Sequence, residues 1–450
     1  MRIDGNMSSN DLFGNMFDNV IVCYAGDDFV EARDGDDQVF GGDGDDTLFG
    51  DGGDDRIDGD DGVDVLGGGD GADTLNGGLG WDSLYGGSGD DLLRGGGGDD
   101  LLKGDAGRDV LDGGDGRDAL SGGDGEDTLW GGGGMDVVEG GEGADLLDGG
   151  DAFDRLLGDA GDDTIRGGGG RDYIDGGYGD DVIFAGPGDD GFLDDVDPLT
   201  GEPLTQAVGG GAGHDTIHGE GGNDLLKGQA GDDHVHGGDG DDAVDGGSGD
   251  NVLVGGDGND AIDAEDGRDT INGGDGDDSI GSGAGDDRIS AGAGDDLIDA
   301  VAGNDVIDAG DGRDTVHAGA GDDVIYSGSG NALIFGEEGD DRIIAGPGAD
   351  TLFGGAGADW FAFKGQGVYG GADTISDFEL GVDRIVLEKL GVTEFAPGAG
   401  AGSLSALDDP NGDVILVVYP VNGEQFSIRV VDHSGSLDAS DFEASDFIFA

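Results

Sequence analysis

From Cys23 to Leu193 a large apolar residue returns every nine positions, nineteen times in succession, and from Gly210 to Ala362 it does so seventeen times more. The unit reads GGxGxDxUx, with U large and apolar, as in GGDGDDTLF at 41–49, GGDGADTLN at 68–76 and GGDGDDSIG at 273–281. The fourth position is Gly in 35 of 36 units, Ala152 being the exception, and the eighth is always Val, Ile, Leu or Phe. A nine-residue period fits no helical face. It fits a three-residue strand at positions seven to nine, with its middle side chain turned inward. Six residues remain to turn the chain, and Gly at the first, second and fourth positions allows angles that side chains forbid. Two such half-turns close an 18-residue coil, and stacked coils pair as parallel strands about 4.8 Å apart. Leu48, Leu66, Leu84 and Leu102 then form one interior column, and Ile57, Leu75, Leu93 and Leu111 the opposite one. The fold expected is all-β: a right-handed parallel β-roll, or β-solenoid, on the order of 90 Å long at that spacing.

The pattern also divides the chain. Residues 1–22 precede the first clear unit and read as a lead segment. Roll segments at 23–193 and 210–362 are separated by DDVDPLTGEPLTQAVG, 194–209, which reads as a surface loop or short linker with Asp197–Pro198 at a turn. After 362 the repeat stops. Residues 363–450 are richer in apolar residues and should form a small β cap. DTISDFELGVDRIVL, 373–387, alternates like strands around a turn at Glu379–Gly381. GDVILVVY, 412–419, and QFSIRVVD, 425–432, read as a hairpin closed through Asn422–Gly423.

Charge changes the picture. There are 105 Asp and Glu against 19 Lys and Arg, a net charge of −86, with 109 Gly and only 6 % aromatics. Such a chain ordinarily stays disordered, because burial cannot offset the ordering entropy. Disorder needs no register, however, and here the register is kept. The acid argues against nucleic acid and anionic membranes as partners and for cations. Single Cys23 excludes an internal disulfide and reads as a small apolar filler. No stretch approaches the ~20 apolar residues of a membrane span, so no transmembrane segment is expected, and the N-terminus has no secretory signal pattern.

The acid is patterned. Position six is Asp in 34 of 36 units, with Asn251 and Ala332 as exceptions. In the first block it is Asp28, Asp37, Asp46, Asp55, Asp64, Asp73, Asp82, Asp91, Asp100, Asp109, Asp118, Asp127, Asp136, Asp145, Asp154, Asp163, Asp172, Asp181 and Asp190. In the second it is Asp215, Asp224, Asp233, Asp242, Asn251, Asp260, Asp269, Asp278, Asp287, Asp296, Asp305, Asp314, Asp323, Asp341, Asp350 and Asp359. Stacked one coil apart, neighbouring carboxylates repel by roughly 1 kcal/mol in water and by more at lower dielectric. A calcium ion relieves this, since it takes 6–8 oxygens from carboxylates and carbonyls in irregular geometry. Zinc and copper want His or Cys, which the turns almost lack, and magnesium dehydrates reluctantly. With one ion between units two apart, at most about 32 Ca2+ fit, and they would bring the net charge to about −22.

The nonapeptide resembles the RTX (repeat-in-toxin) repeat of hemolysin-type calcium-binding proteins that Gram-negative bacteria secrete by the type I route. That resemblance implies metal ligands at the sixth positions named above. Each ion would also take carbonyls from positions two and four of one unit, and from positions one and three one coil later. Applied here, Gly42, Gly44 and Asp46 would meet Gly59, Asp61 and Asp64. Ala332 would remove a carboxylate from two sites, Asn251 would lower the charge of its own, and Ala152 would distort its turn. DTISDFELGVDRIVL and the closing SDFIFA resemble the family's cap and uncleaved secretion signal. The implied partners are calcium and the type I apparatus, and the implied location is extracellular or cell-surface.

Catalysis is not indicated. The chain contains no HExxH and no GxSxG, and Asp432, His433 and Ser434 are sequence neighbours whose side chains alternate across a strand. A non-enzymatic structural or adhesive protein of the cell surface, with matrix or surface polysaccharide as a candidate partner, is the leading reading. A carrier for a separate effector and an enzyme with an unrecognised C-terminal site are the alternatives. His214, His218, His234 and His236 fall one coil apart and read as a solvated patch, with a transition-metal site as the sharper alternative.

Overall fold

The computed structural model describes residues 1–450 apart from 192–194, 197–202, 205–206, 365–371, 391, 396–402, 412, 422–424, 432–436 and 450. Two compact units are present, Met1–Gly237 and Gly238–Ala450. Each is a parallel β-solenoid with an 18-residue coil. Among the described residues the only helical element is a 3-10 turn, Ala444–Asp446.

In the first unit alternate repeats stack on two faces. Leu48, Leu66, Leu84 and Leu102 pair in register on one, and Ile57, Leu75, Leu93 and Leu111 on the other. All eight are fully buried. Burying each such side chain contributes about 1.5–3 kcal/mol. The second unit repeats the arrangement, with Ile271↔Ile289↔Ile307↔Ile325 on one face and Ile262↔Ile280↔Ile298↔Val316 on the other.

The strands are longer than the three residues the pattern suggests. Most run six, from position seven through position three of the next unit, as in Thr47–Gly52 and Leu92–Gly97. Glycine is a poor strand former, but each coil offers its neighbour the same backbone donors and acceptors, and that pairing overrides the propensity. Three-residue strands do occur in the second unit, directly before Ala264, Ser282, Ala300, Ala309 and Ser327, and before Gly246.

Turn geometry explains which glycines are invariant. Position two adopts positive φ near the left-handed region, which Asp51 (75°) and Asp60 (76°) also reach. Position four lies further out, at 137° in Gly44 and 154° in Gly125. Only glycine occupies that region without strain. Ala152 stands at position four with φ 89°, pulled back toward the left-handed well.

One boundary needs correction, and the strand pairing fills in two others. Residues 1–22 are not a lead segment. Arg2–Asn6 and Asp11–Phe13 pair in the 18-residue register with Val20–Ala25 and Phe29–Asp34, so the first coil begins at Arg2. Residues 194–209 lengthen one coil and do not link two segments. Asp181 N–H still reaches Asp215 Oδ1 at 2.8 Å, across 34 residues in place of 18. Stacking resumes at Val208–Ala212, and Asp195–Val196 pairs antiparallel with Pro203–Leu204 within the added stretch. Residues 363–450 do more than follow the roll. Asp373–Ile375 and Arg384–Glu388 add one further layer to each face, and Phe447–Phe449 pairs in parallel with the latter. The hairpin is present as antiparallel Val414–Tyr419 and Phe426–Val430, while its Asn422–Gly423 turn lies outside the described residues.

Candidate metal centre

Every sixth-position residue in the described rows is buried. Asp46 N–H donates to Asp64 Oδ1 at 2.8 Å, Asp64 to Asp82 at 2.8 Å and Asp82 to Asp100 at 2.7 Å, so one oxygen of each carboxylate is fixed by the preceding coil. The other oxygen is not satisfied. Oδ2 of Asp46, Asp64, Asp82 and Asp100 is buried without a hydrogen-bond donor, the same holds for Asp55, Asp73, Asp91 and Asp109 on the opposite side of the first unit, and Asp278, Asp287, Asp305 and Asp314 repeat it within the second. A buried carboxylate oxygen left without a donor costs on the order of 1–3 kcal/mol, and more when charged. Repeated along the roll, this donor set suits a cation.

The surroundings fit one. A Cβ placed on first-position Gly149 would lie 2.6 Å from Asp154 Oδ2 and 2.6 Å from the carbonyl oxygen of Gly167, one coil later. The two oxygens are therefore no more than about 5 Å apart, a span that one calcium ion bridges at 2.3–2.6 Å per bond. The first-position glycine leaves that space open. At the fourth position, a Cβ on Gly188 would meet the Gly170 carbonyl carbon at 2.7 Å and Asp190 Oδ1 at 3.5 Å, so main-chain and carboxylate oxygens converge there as well. Third-position carbonyls are partly used: Gly44 N–H donates to Asp61 O at 2.8 Å, leaving one lone pair.

Among the described residues no three His, Cys, Asp or Glu side chains come together as a cluster. A cation here would rest on carboxylate pairs supplemented by main-chain oxygens, the hard donor set that suits calcium. Electrostatics agree. Burial, chiefly, and the like charges of Asp73 and Asp109 push Asp91 up to about 7, although the Asp73 backbone N–H pulls the other way. Asp154 is pushed to about 8 by burial and by Asp172 and Asp136.

Some parts of the site escaped the repeat pattern. Asn10 and Asn19 occupy the sixth position of the first coil, and their backbone N–H groups donate to Asp28 and Asp37 Oδ1 at 2.5 Å. Asp373 and Asp383 continue the two columns beyond the repeat: Asp350 N–H and Asp359 N–H each donate to their Oδ1 at 3.1 Å. Spacings of 23 and 24 residues hid them. Fifth-position carboxylates form an outer row, as where Asp54 Oδ1 accepts from Ala72 N–H at 3.0 Å; the GDD doublet in many units was their signal.

The exceptions behave individually. Asn251 keeps the ladder through its N–H to Asp269 Oδ1 at 2.7 Å, but its Nδ2 faces the space beside Gly246, where an aspartate would present oxygen. Ala332 N–H donates to Asp350 Oδ1 at 3.0 Å and brings no carboxylate.

A family model described as the RTX calcium-binding nonapeptide repeat (4 copies) matches fifteen overlapping windows, from 4–39 through 157–192 and from 209–244 through 326–361. The chain belongs to this family. Its RTX repeats are calcium-binding repeats, and the match begins within the first coil that the structure adds. No curated protein matches the chain. Solved structures similar to parts of it include the AlgE6R3 subunit of the Azotobacter vinelandii mannuronan C5-epimerase, at 30% identity over 34% of this chain and 83% of that one, with a TM-score of 0.26. The AlgE6R2 subunit of the same enzyme matches at 24% identity over 36% and 92%, with a TM-score of 0.25.

Of the four histidines, His218 and His236 are ring neighbours one coil apart. His218 stacks on Phe184 at 5.1 Å between centroids and lies 6.1 Å from His236, with burial and then His236 holding its pKa low. His214 Nδ1 accepts from Asp232 N–H at 2.8 Å, so that nitrogen serves the turn. Residues 432–434 lie outside the described residues. No helix of the described residues is long and apolar enough to cross a membrane.

Proposed function

We propose that this chain is a non-enzymatic protein of the extracellular or cell-surface layer that loads calcium along both carboxylate columns, reaches its compact state only when loaded, and serves a structural or adhesive role. The carrying observation is the row of buried Oδ2 atoms without donors, which in units that begin with glycine, such as 131–139 and 149–157, face a main-chain carbonyl of the next coil across open space. The sixth-position aspartates are the proposed ligands, joined by Asp373, with carbonyl oxygens of the flanking turns completing each shell; Asp383 ends its column with both oxygens engaged, Oδ1 by Asp359 N–H and Oδ2 by Glu379 N–H. To the roughly 32 ions of the one-per-coil-step count within the repeat blocks, the continued stacking adds the steps from Asp181 to Asp215, from Asp190 to Asp224 and from Asp350 to Asp373. Export is proposed by the type I route. Low cytosolic calcium leaves the chain expanded by its own charge, and higher external calcium folds it outside. A polysaccharide of the matrix or cell surface is the proposed partner class.

Circular dichroism during a calcium titration tests the core of this reading. A coil spectrum in EGTA should give way cooperatively to a β spectrum near millimolar calcium, since neighbouring coils share ions and interfaces. A β spectrum that is complete in EGTA and unmoved by calcium would sink it.

A further inference from the structure

Ala332 is the one described sixth-position residue that carries no polar side chain, and its unit also departs from the common pattern at position one, which is Ser327. Both residues are buried. Ser327 Oγ does not stay within its own unit. It donates to Asp350 Oδ2, one coil on, at 2.9 Å, and accepts from Gly346 N–H at 2.8 Å. Ala332 N–H donates to Asp350 Oδ1 at 3.0 Å, so both oxygens of this carboxylate are hydrogen-bonded. Asp341 and Asp373, also late in the second unit, retain an Oδ2 without a donor.

A serine at position one is not sufficient for this. Ser282 holds the same place in a unit that keeps its aspartate, Asp287. Its Oγ bonds the Ala300 carbonyl at 3.3 Å, and Asp305, one coil on, is left with an unsatisfied Oδ2. The hydroxyl reaches the carboxylate of the next coil only where the carboxylate between them is missing; Ser282 reaches a carbonyl there instead.

We propose that Ser327 takes the place of a calcium ion between two coils of the second unit, closing this junction without metal. The proposal rests on the calcium-loading reading above. It makes positions one and six together a determinant of stoichiometry: glycine or alanine with aspartate, as at Ala309 and Asp314, leaves Oδ2 without a donor, while serine with alanine at position six supplies the donor that the ion would otherwise make unnecessary. The column through Asp314, Ala332 and Asp350 is thereby interrupted, and Asp350 with Asp373 forms a separate pair at the start of the C-terminal layer.

The test uses the full chain, equilibrium dialysis against radioactive calcium, and thermal melting at saturating calcium. Ser327→Ala should bind as many ions as the parent chain and melt lower by about 2–4 °C, the shift for about 1 kcal/mol in a domain of this size. Ser327→Gly combined with Ala332→Asp restores the common pattern and should bind one or two ions more. Loss of an ion in Ser327→Ala would make the hydroxyl a ligand and overturn the proposal, as would an unchanged ion count in the double variant. A parent chain that takes up no calcium at all would overturn the proposed function itself, a result these variants cannot mimic.

Discussion

Substitution of a single glycine by alanine separates the metal site from the scaffold that carries it. Gly131 and Gly133 stand two residues apart in one unit, and neither has the positive φ that would strain a side chain. A methyl on Gly131 would lie 2.6 Å from the Gly149 carbonyl oxygen and 2.7 Å from Asp136 Oδ2, in the space assigned to an ion. A methyl on Gly133 meets only Asp115 Oδ1, at an ordinary 3.8 Å. The first change carries an overpacking cost of about 1–3 kcal/mol, because a ladder carbonyl cannot swing away. It also forfeits the linkage energy of the excluded ion. For a dissociation constant of about 0.1–1 mM, that energy is about 1.4–2.7 kcal/mol at 10 mM calcium. Gly131→Ala should therefore lose about 3–5 kcal/mol in calcium and bind at least one ion fewer where the methyl excludes the ion; alanine already stands at this position in units such as 309–317, whose Asp314 Oδ2 lacks a donor, so an unchanged ion count would place the ion outside the methyl's reach. Gly133→Ala should bind the parental number and gain about 0.4–1 kcal/mol from reduced unfolded-state entropy. Urea unfolding in 10 mM calcium, paired with equilibrium dialysis, reads both quantities. Equal ion counts in the two variants would refute the assignment of the first-position space to calcium.

Acid should partly substitute for calcium. Buried carboxylates such as Asp118 and Asp163, both raised to about 7 chiefly by burial, hold protons more tightly in the folded chain than in the unfolded one, where the ordinary value is 3.8. Their contribution to folding is therefore fully present below the unfolded value and lost as pH rises through about 6–8. In EGTA, β signal in circular dichroism should grow between pH 8 and pH 5, a range that stays above the pI of 4.1. In calcium the sign reverses for affinity, because the ion needs ionised oxygens, so the calcium midpoint should rise as pH falls over the same range; pH-independent behaviour in both buffers would contradict the burial argument. Ala152→Gly should stabilise the calcium-loaded form by about 1 kcal/mol by releasing a non-glycine residue held at φ 89°; an unchanged urea midpoint would show that the turn stores no strain.

Much of this was legible in the chain, for a physical reason. The inward apolar residues and buried aspartates each perform one job in every coil, so Leu48 stands at a position that is always Val, Ile, Leu or Phe, and Asp46 at one that is Asp in 34 of 36 units. Where the job changes hands, the text becomes opaque. The first coil uses Asn10 and Asn19, whose amides hold the ladder without the charge that marks a repeat. Asp373 and Asp383 keep the geometry but abandon the spacing, standing 23 and 24 residues after their predecessors in place of 18. The extended conformation of positions one to three was hidden for another reason: glycine carries no side-chain signal, and only the neighbouring coil reveals that its backbone is paired. Ser327 could be seen as a substitution, but its partner lies 23 residues away and depends on what Ala332 lacks.

The sixteen extra residues between Asp181 and Asp215 carry a lesson for engineering. Registry in this architecture is kept by layer and not by counting along the chain, since the hydrogen bond from Asp181 to Asp215 is as short as its unlengthened equivalents. Enlarging a connection costs only about 0.6 kcal/mol of closure entropy per doubling of its length. Foreign peptides grafted at that turn should be displayed at the periphery while the columns on either side stay in step.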